Sequence, residues 1–376
     1  MNIRDPIFSD IYVDDIARNI LEDPHMQRLR YVKQLAFAYL VYPGANHTRF
    51  EHSLGTYHVA STIMRNIGDG VDSEVPYVGL LHDIGHAAFS HLSHFALEHY
   101  LGKTHEIVGE EIIKSSEIKD IISDSTLSFK RFLSYFRGFG KGQIVTGALG
   151  SDRIDYLSRD SYYTGVAYGA LDANRLIGKI TLSRGAPALY RQGVSGAESL
   201  LIARYLMFSS VYYHHTVVIA GAMYGKALSA AIEAGAIVPR MLPFYNDGQV
   251  ISMLSAEKAS AGLTERIMNR RLFKRVYDGP ISKEFQTAEL VDALGAAGLK
   301  SSDYIAEKLD FRIRDYELPI VGAGGGPIGR LTGISPLIAN LAKAMNATRR
   351  LVVACDSSNL AKARPVVSRF LKSGQG

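Results

Sequence analysis

Nine of the chain's twelve histidines lie between His47 and His105, and the run LLHDIGHAAFSH, Leu80 to His91, holds three of them. That crowding constrains the fold more than any other feature. Imidazole fills an apolar core poorly and needs a hydrogen-bond partner or a cation when it is buried. A chain that puts so many on neighbouring segments has to fold those segments around a shared polar centre. The apolar residues between them have helical spacing, so the centre is expected between helices.

The helices can be placed from their caps and periods. DDIARNILED and DPHMQRLRYVKQL each open at Asp with charges on the outer face, and RFEHSLGTYHVASTIMRNIG closes at Gly68. VPYVGLLHDIGH reads as a buried helix ending near Gly85, where glycine lets the backbone turn. Further helices are expected over 90–101, 104–115 and 151–160, and a long one from about 195 to 233. KITLSRGAPALYRQG alternates around a Gly-Ala-Pro turn and reads as a hairpin. Beyond about residue 236 proline and glycine break the helical pattern. There RLFKRVYDG, DYELPIV and RRLVVACDSS read as strands, VGAGGGPIGR as a loop and RIMNRRLFKR as a solvated helix face. The expected fold is mostly α, with a helical domain over 1–235 and a smaller α+β region over 236–376.

Composition narrows the partners. Of 376 residues, 47% are hydrophobic and 21% charged, as in soluble globular proteins. Lys and Arg exceed Asp and Glu by 42 to 37, a net +5 that suits a nucleotide or other anionic ligand and argues only weakly for a nucleic-acid surface. Cys355 stands alone, which excludes an internal disulfide and a thiolate metal site and fits a reducing cytoplasm. The opening MNIRDPIFSDIYVDD lacks the apolar core of a signal peptide, and HTVVIAGAMYGKALSAAIEAGAIV is too interrupted by Lys and Gly to read as a membrane span.

The chemistry points to a cation. Neutral imidazole and carboxylate are the usual ligands of a divalent transition metal where no thiolate is present, and His52, His82 and Asp83 supply three. His86 lies one turn beyond His82, and a fourth ligand should be an acid from elsewhere: SDRIDYLSRD offers Asp152, Asp155 and Asp160. HDIGH also has the histidine spacing of zinc proteases, but these need a longer Glu as base where this chain has Asp83. His25, His47, His58, His99, His214 and His215 read as ordinary helix or turn residues.

Together, DPIFSDIYV, DPHMQRLRYVKQL, YPGANHTRFEHSLGT, LLHDIGHAAFSH, THE and DRIDYLSRD resemble the HD-domain phosphohydrolase superfamily. The nearest branch contains the sterile-alpha-motif/HD-domain deoxynucleotide triphosphohydrolase and its prokaryotic relatives. The resemblance implies metal ligands at His52, His82, Asp83 and Asp152, with Asp155 behind them, and one divalent ion per site (manganese, iron, nickel, cobalt, zinc or magnesium). It implies triphosphate contacts from Arg49, His86, His91, His105, Arg153, Tyr156 and Arg204, and sugar contacts from Gln34, Asp160 and Tyr212. His105, held by Glu106, becomes the acid for the leaving oxygen. The implied reaction is hydrolysis of a dNTP to deoxynucleoside and tripolyphosphate by a homo-oligomer, a dimer or tetramer. Two departures stand out: His94 replaces an aspartate that pairs with the histidine at His91 in the family, and Phe208 and Tyr213 replace polar residues near the sugar and base.

Overall fold

The computed structural model describes residues 1–68, 73–169, 172–282, 285–310, 317–347 and 349–373. The chain is mostly α-helical with small sheets, and it divides into two compact units. The first comprises Met1–Met207, Pro239–Gly248 and Arg314–Leu341; the second comprises Phe208–Val238, Gln249–Ile313 and Ala342–Gly376. The single cut expected between 235 and 236 is therefore not where the chain divides. The reason is local to each unit. Helix His215–Glu233 packs on helix Lys258–Met268 and on strands Tyr304–Asp310 and Arg349–Cys355, whereas Asp247 accepts hydrogen bonds from the backbones of Lys33 and Phe89.

In the first unit, helix Arg49–Ile67 is the spine. Thr48 and Glu51 form a capping box at its start, and Gly68 ends it at φ 84°, as its sequence predicts. Helices Val75–Leu81 and Ser151–Thr164 pack on it, burying Ala60, Ile63, Val78, Leu81, Ile154 and Leu157 completely. Asp14 caps helix Asp15–Glu22, and its other oxygen accepts the hydroxyls of Tyr57 at 3.0 Å and Tyr77 at 2.8 Å, tying two of these helices to the N-terminal segment.

Several expected helices are shorter. DPHMQRLRYVKQL gives helix Pro24–Arg28 and then a 3₁₀ turn, Leu29–Tyr31. The buried Arg28 side chain donates to the carbonyls of Ile84, His86 and Tyr245, while the carbonyl of Val32 accepts from Arg49 N–H and the N–H of Gln34 donates to His47. Those tertiary bonds replace helical ones. VPYVGLLHDIGH ends its helix at Leu81. Gly85 lies in the turn that follows, as expected, and a Cβ there would sit 2.1 Å from the His105 carbonyl oxygen and 2.4 Å from Gly109 N, so it also lets helix His105–Ser115 approach closely. The segment 90–101 is a 3₁₀ turn, Ser90–Ser93, followed by helix His94–Leu101. The long helix expected from 195 is broken into Val194–Met207, a π-helical turn Phe208–Tyr212, and His215–Glu233.

Asn2–Asp5 pairs with Ser9–Tyr12 in a hairpin that the sequence reading did not include. The other hairpin is present as Ile180–Ser183 with Ala186–Tyr190, but its turn is Arg184–Gly185, both at positive φ, and Pro187 lies in the strand opposite Leu182. Its second strand pairs in parallel with Pro319–Val321, which pairs with Pro327–Arg330 around the glycine cluster. The first two residues of DYELPIV lie outside the described residues.

The second unit holds a sheet with Arg349–Cys355 between Lys274–Ile281 and Tyr304–Asp310, all antiparallel. RIMNRRLFKR is not one helix face. Helix Lys258–Met268 ends within it, Arg270 takes φ 55°, and a strand begins at Lys274 because the central strand needs that neighbour. Among the described residues no helix is long and apolar enough to cross a membrane.

Candidate active site

Three elements bring the expected ligands together. His52 lies in the first turn of the spine helix, His82 caps helix Val75–Leu81 with Asp83 next, and Asp152 lies in the first turn of helix Ser151–Thr164. His52 Nε2 is 3.2 Å from His82 Nε2, 3.1 Å from Asp152 Oδ1 and 3.5 Å from Asp83 Oδ2; His82 Nε2 is 3.4 Å from Asp83 Oδ1 and 3.6 Å from Asp152 Oδ1. Ligand atoms about 2.0–2.2 Å from one ion lie this far from each other. The donor set and its spacing therefore fit a divalent cation. Asp152, with 28% of its side chain exposed, marks the open side.

The second nitrogen of each imidazole is also fixed. His52 Nδ1 is 2.6 Å from Asp155 Oδ2, and His82 Nδ1 is 2.8 Å from the Gly79 carbonyl, which leaves both Nε2 atoms facing the centre. Asp155 is held in turn by Arg159, which also grips Asp5 at 2.8 Å. Gly55 makes room for this layer, since a Cβ there would fall 1.7 Å from Asp155 Oδ1. Burial alone would lower the His52 pKa, but contacts with Asp152 and Asp155 and the field of Asp83 override it and push it up to about 10. Burial would likewise raise Asp83 and Asp152; Arg49 with His82 and His86 pulls the first well below the usual range, and His52 with His82 pulls down the second.

Beside the ligands stands a wall of cations and imidazoles. Buried Arg49 bonds Asp83 through Nη1 and Ser90 Oγ through Nε at 2.9 Å, while its buried Nη2 has no acceptor among the described residues. His86 Nε2 is 3.2 Å from Asp83 Oδ1, and the ring stacks on His105 at 4.1 Å. His94, the family departure, lies between His86 and His91 and stacks on His105 at 4.6 Å. Burial, then His105 and Arg49, push its pKa down to about 3, so it is neutral and cannot supply the charge of the aspartate it replaces. His105 Nδ1 is 3.4 Å from Glu106 Oε2, and burial lowers its basicity against the pull of Glu106.

Arg153 and Tyr156 lie on the helix of Asp152, and Arg204 on helix Val194–Met207. Burial raises the Tyr156 hydroxyl pKa, opposed by the nearby Arg204 and Arg153, so the three form one electropositive corner. Asp160 is buried with its Oδ1 2.7 Å from His47 Nε2, and His47 stacks on Tyr163. Gln34 is buried with its Oε1 unpartnered and its N–H on the His47 carbonyl. Tyr212 lies in the second unit, in the π-helical turn against Phe208.

The sequence reading missed the residues that hold this site in place. Arg159 sat in a quoted motif, and its i to i+4 spacing from Asp155 was a usable signal. Arg28 and Asp247 carried none. The Asp247 carboxylate accepts Phe89 N–H at 2.7 Å and Lys33 N–H at 3.0 Å across a long sequence gap. Burial pushes its pKa up to about 6 against those bonds.

Helices that converge two imidazoles and two carboxylates in this order define an HD-type domain. The sequence matches the HD domain family over residues 49–160 and the HD associated region over 171–315, and the chain belongs to the HD-domain phosphohydrolase superfamily. An uncharacterized protein of Methanocaldococcus jannaschii is 39% identical over 282 residues, 73% of this chain and 59% of that one, so the chain spans little more than half of that relative's length. The crystal structure of a hypothetical protein from Aquifex aeolicus matches with a TM-score of 0.84 at 30% identity, over 98% of this chain and 99% of that one. The human deoxynucleoside triphosphate triphosphohydrolase SAMHD1 is 42% identical over 99 residues, 24% of this chain and 16% of that protein.

Proposed function

We propose that the chain is a metal-dependent hydrolase of deoxynucleoside triphosphates, releasing deoxynucleoside and intact tripolyphosphate. The observation that carries this reading is the convergence of His52, His82 and Asp152 at 3.1 to 3.6 Å, with Asp83 3.4 to 3.5 Å from both imidazoles, beside an arginine whose buried Nη2 has no acceptor among the described residues. The name of the SAMHD1 relative supports the substrate, through similarity confined to 99 residues. A divalent ion bound there supplies Lewis acidity, lowering the pKa of water and polarising a phosphoryl oxygen.

The chain's own residues do the rest. Asp155 and the Gly79 carbonyl orient the two imidazoles, and Arg49, Arg153 and Arg204 supply planar forks for phosphate oxygens. His86 and His91 are further phosphate donors in this reading. Water adds its oxygen to the α-phosphorus, the bond to the 5′ oxygen breaks, and His105 gives that oxygen a proton with Glu106 behind the ring. Gln34 and Asp160 are proposed sugar contacts, with Asp160 held in position by His47. Assembly into a dimer or tetramer belongs to the same proposal, and light scattering checks it.

A second reading is favoured by His94. A neutral imidazole gives His91 no counter-charge, which fits either a phosphodiesterase or phosphatase with another nucleotide or a regulator that binds nucleotide with little turnover. One assay separates them: metal-loaded protein with dNTPs, NTPs and dinucleotides, and products identified. Tripolyphosphate with deoxynucleoside is the expected outcome. Orthophosphate or a nucleoside monophosphate selects the esterase reading, and binding without product selects the regulator.

A further inference from the structure

We propose that His86, His91 and His94 form a second cation site, separate from the first and built by the histidine at position 94, that takes a borderline divalent ion such as zinc, cobalt or nickel. This goes beyond the single ion of the hydrolytic reading, and it takes His86 and His91 as ion ligands in place of the phosphate-donor role given them there.

The three residues offer one nitrogen each, all within 4.8 Å of one another, and share no residue with the set His52, His82 and Asp152. His94 Nε2 is 3.2 Å from His86 Nδ1, and His94 Nδ1 is 3.4 Å from His91 Nδ1. Nitrogens bound tetrahedrally at about 2.0–2.1 Å stand about 3.3–3.4 Å apart, and each separation has that length, but the two run through opposite nitrogens of the His94 ring, so a shared ion requires one of them to turn. The rings are not one stack. His91 meets His86 at 89° and His94 at 81°, so its nitrogen approaches the other two from the side. His86 and His94 lie nearly parallel at 17°, so binding one ion through a single His94 nitrogen requires the imidazoles to reorient.

The support behind these ligands matches what such sites use. His86 turns Nδ1 to the cluster while its buried Nε2 lies 3.2 Å from Asp83 Oδ1, a charge contact without hydrogen-bond geometry. Arg28 holds the His86 carbonyl at 2.8 Å. Between His86 and His91 the chain reverses through Phe89 and Ser90, at φ 57° and 55°, and Asp247 pins that turn. Positive φ at two successive residues with side chains is unfavourable, so the turn persists because its surroundings fix it. Arg49 opposes a second cation here, and Asp83, which Arg49 already pairs, offsets it only in part. The fourth position is therefore expected to go to an anion or water. The exchange of a family aspartate for His94 gains a physical reason: it removes an acceptor and completes a set of three imidazoles, ligands suited to borderline divalent ions.

The test is metal counting on the full chain, stripped with chelator, reloaded with zinc or cobalt alone and dialysed. Two ions per chain are expected for the wild type, falling to one in His94→Ala and in His94→Asp. His82→Ala should also retain one, held by the second site alone. If the His94 variants unfold, His91→Ala at the exposed ligand gives the same readout. One ion per chain in the wild type, or two retained in folded His94→Ala and His91→Ala, overturns the proposal. Neither count involves turnover, so failure here is distinct from failure of the dNTP hydrolysis reading.

Discussion

The interiors of the two units are made of different things. Around helix Arg49–Ile67 the fully or nearly fully buried groups include Arg159, Asp155, His52, Asp160, Arg49 and Asp83. In the second unit the central strand buries Leu351, Val352, Val353, Ala354 and Cys355, of which Leu351, Val353 and Cys355 pack with Phe285, Leu290, Leu294 and Leu299. Ionised side chains are not buried for stability's sake, since desolvation cancels most of what pairing returns and apolar residues do the same job as well or better. A core that keeps them is committed to chemistry. A core of Leu and Val is committed to packing.

The largest effect expected from this contrast is at the ligands. His82→Ala with Asp83→Ala should lose the first bound ion and drop kcat/KM by at least about a thousandfold, some 4 kcal/mol of barrier. Elemental analysis and steady-state kinetics check both, and turnover near wild type would remove the centre from the mechanism. The next effect compares one substitution in each core. Arg159→Met strands the carboxylates of Asp155 and Asp5 in the interior and should cost about 3–5 kcal/mol in urea unfolding, together with a tenfold or greater loss of metal affinity as His52 loses its anchor. Leu294→Ala removes a fully buried side chain and should cost about 2–5 kcal/mol with no change in metal affinity. If both variants shift stability and metal binding in the same proportion, the division of labour drawn here is wrong.

How much of this was legible beforehand depends on how far along the chain each contact reaches. The spine helix was readable end to end because its capping box and closing Gly68 are local signals. The ligands were readable because their order along the chain resembles a known family, and their convergence follows from that fold. The helix ends near Arg28 and Leu81 were not, because side chains and backbones from distant segments replace the helical bonds there. Asp247 was invisible for the same reason. The division at 207 and 208 was hidden because apolar helical spacing stands on both sides of FSSVYYHH and no Pro or Gly marks the break. Gly85 shows how a residue can carry a second cause that the sequence hides: it lies in the turn its pattern predicts, and it also lets a second helix come close.

The smallest effect expected is on the outside of helix His105–Ser115, where Glu110 meets Arg137 at 2.5 Å and Lys114 at 2.5 Å. Hydrogen bonds from Arg137, working against slight burial and helped by Lys114, bring the Glu110 pKa down to about 2. A carboxylate whose folded pKa is depressed contributes stability above its ordinary value of 4.5, and that contribution is lost as pH falls towards 2. Because both partners are about half exposed and screened by solvent, the shift overstates what the group is worth, and Glu110→Gln should cost at most about 1 kcal/mol at neutral pH. The difference between wild type and variant should shrink in high salt and vanish below about pH 2. A loss as large as that of Arg159→Met, and insensitive to salt, would mean that charge on this surface is held as firmly as charge around the ligands. The distinction between the two kinds of ion pair would then have to be given up.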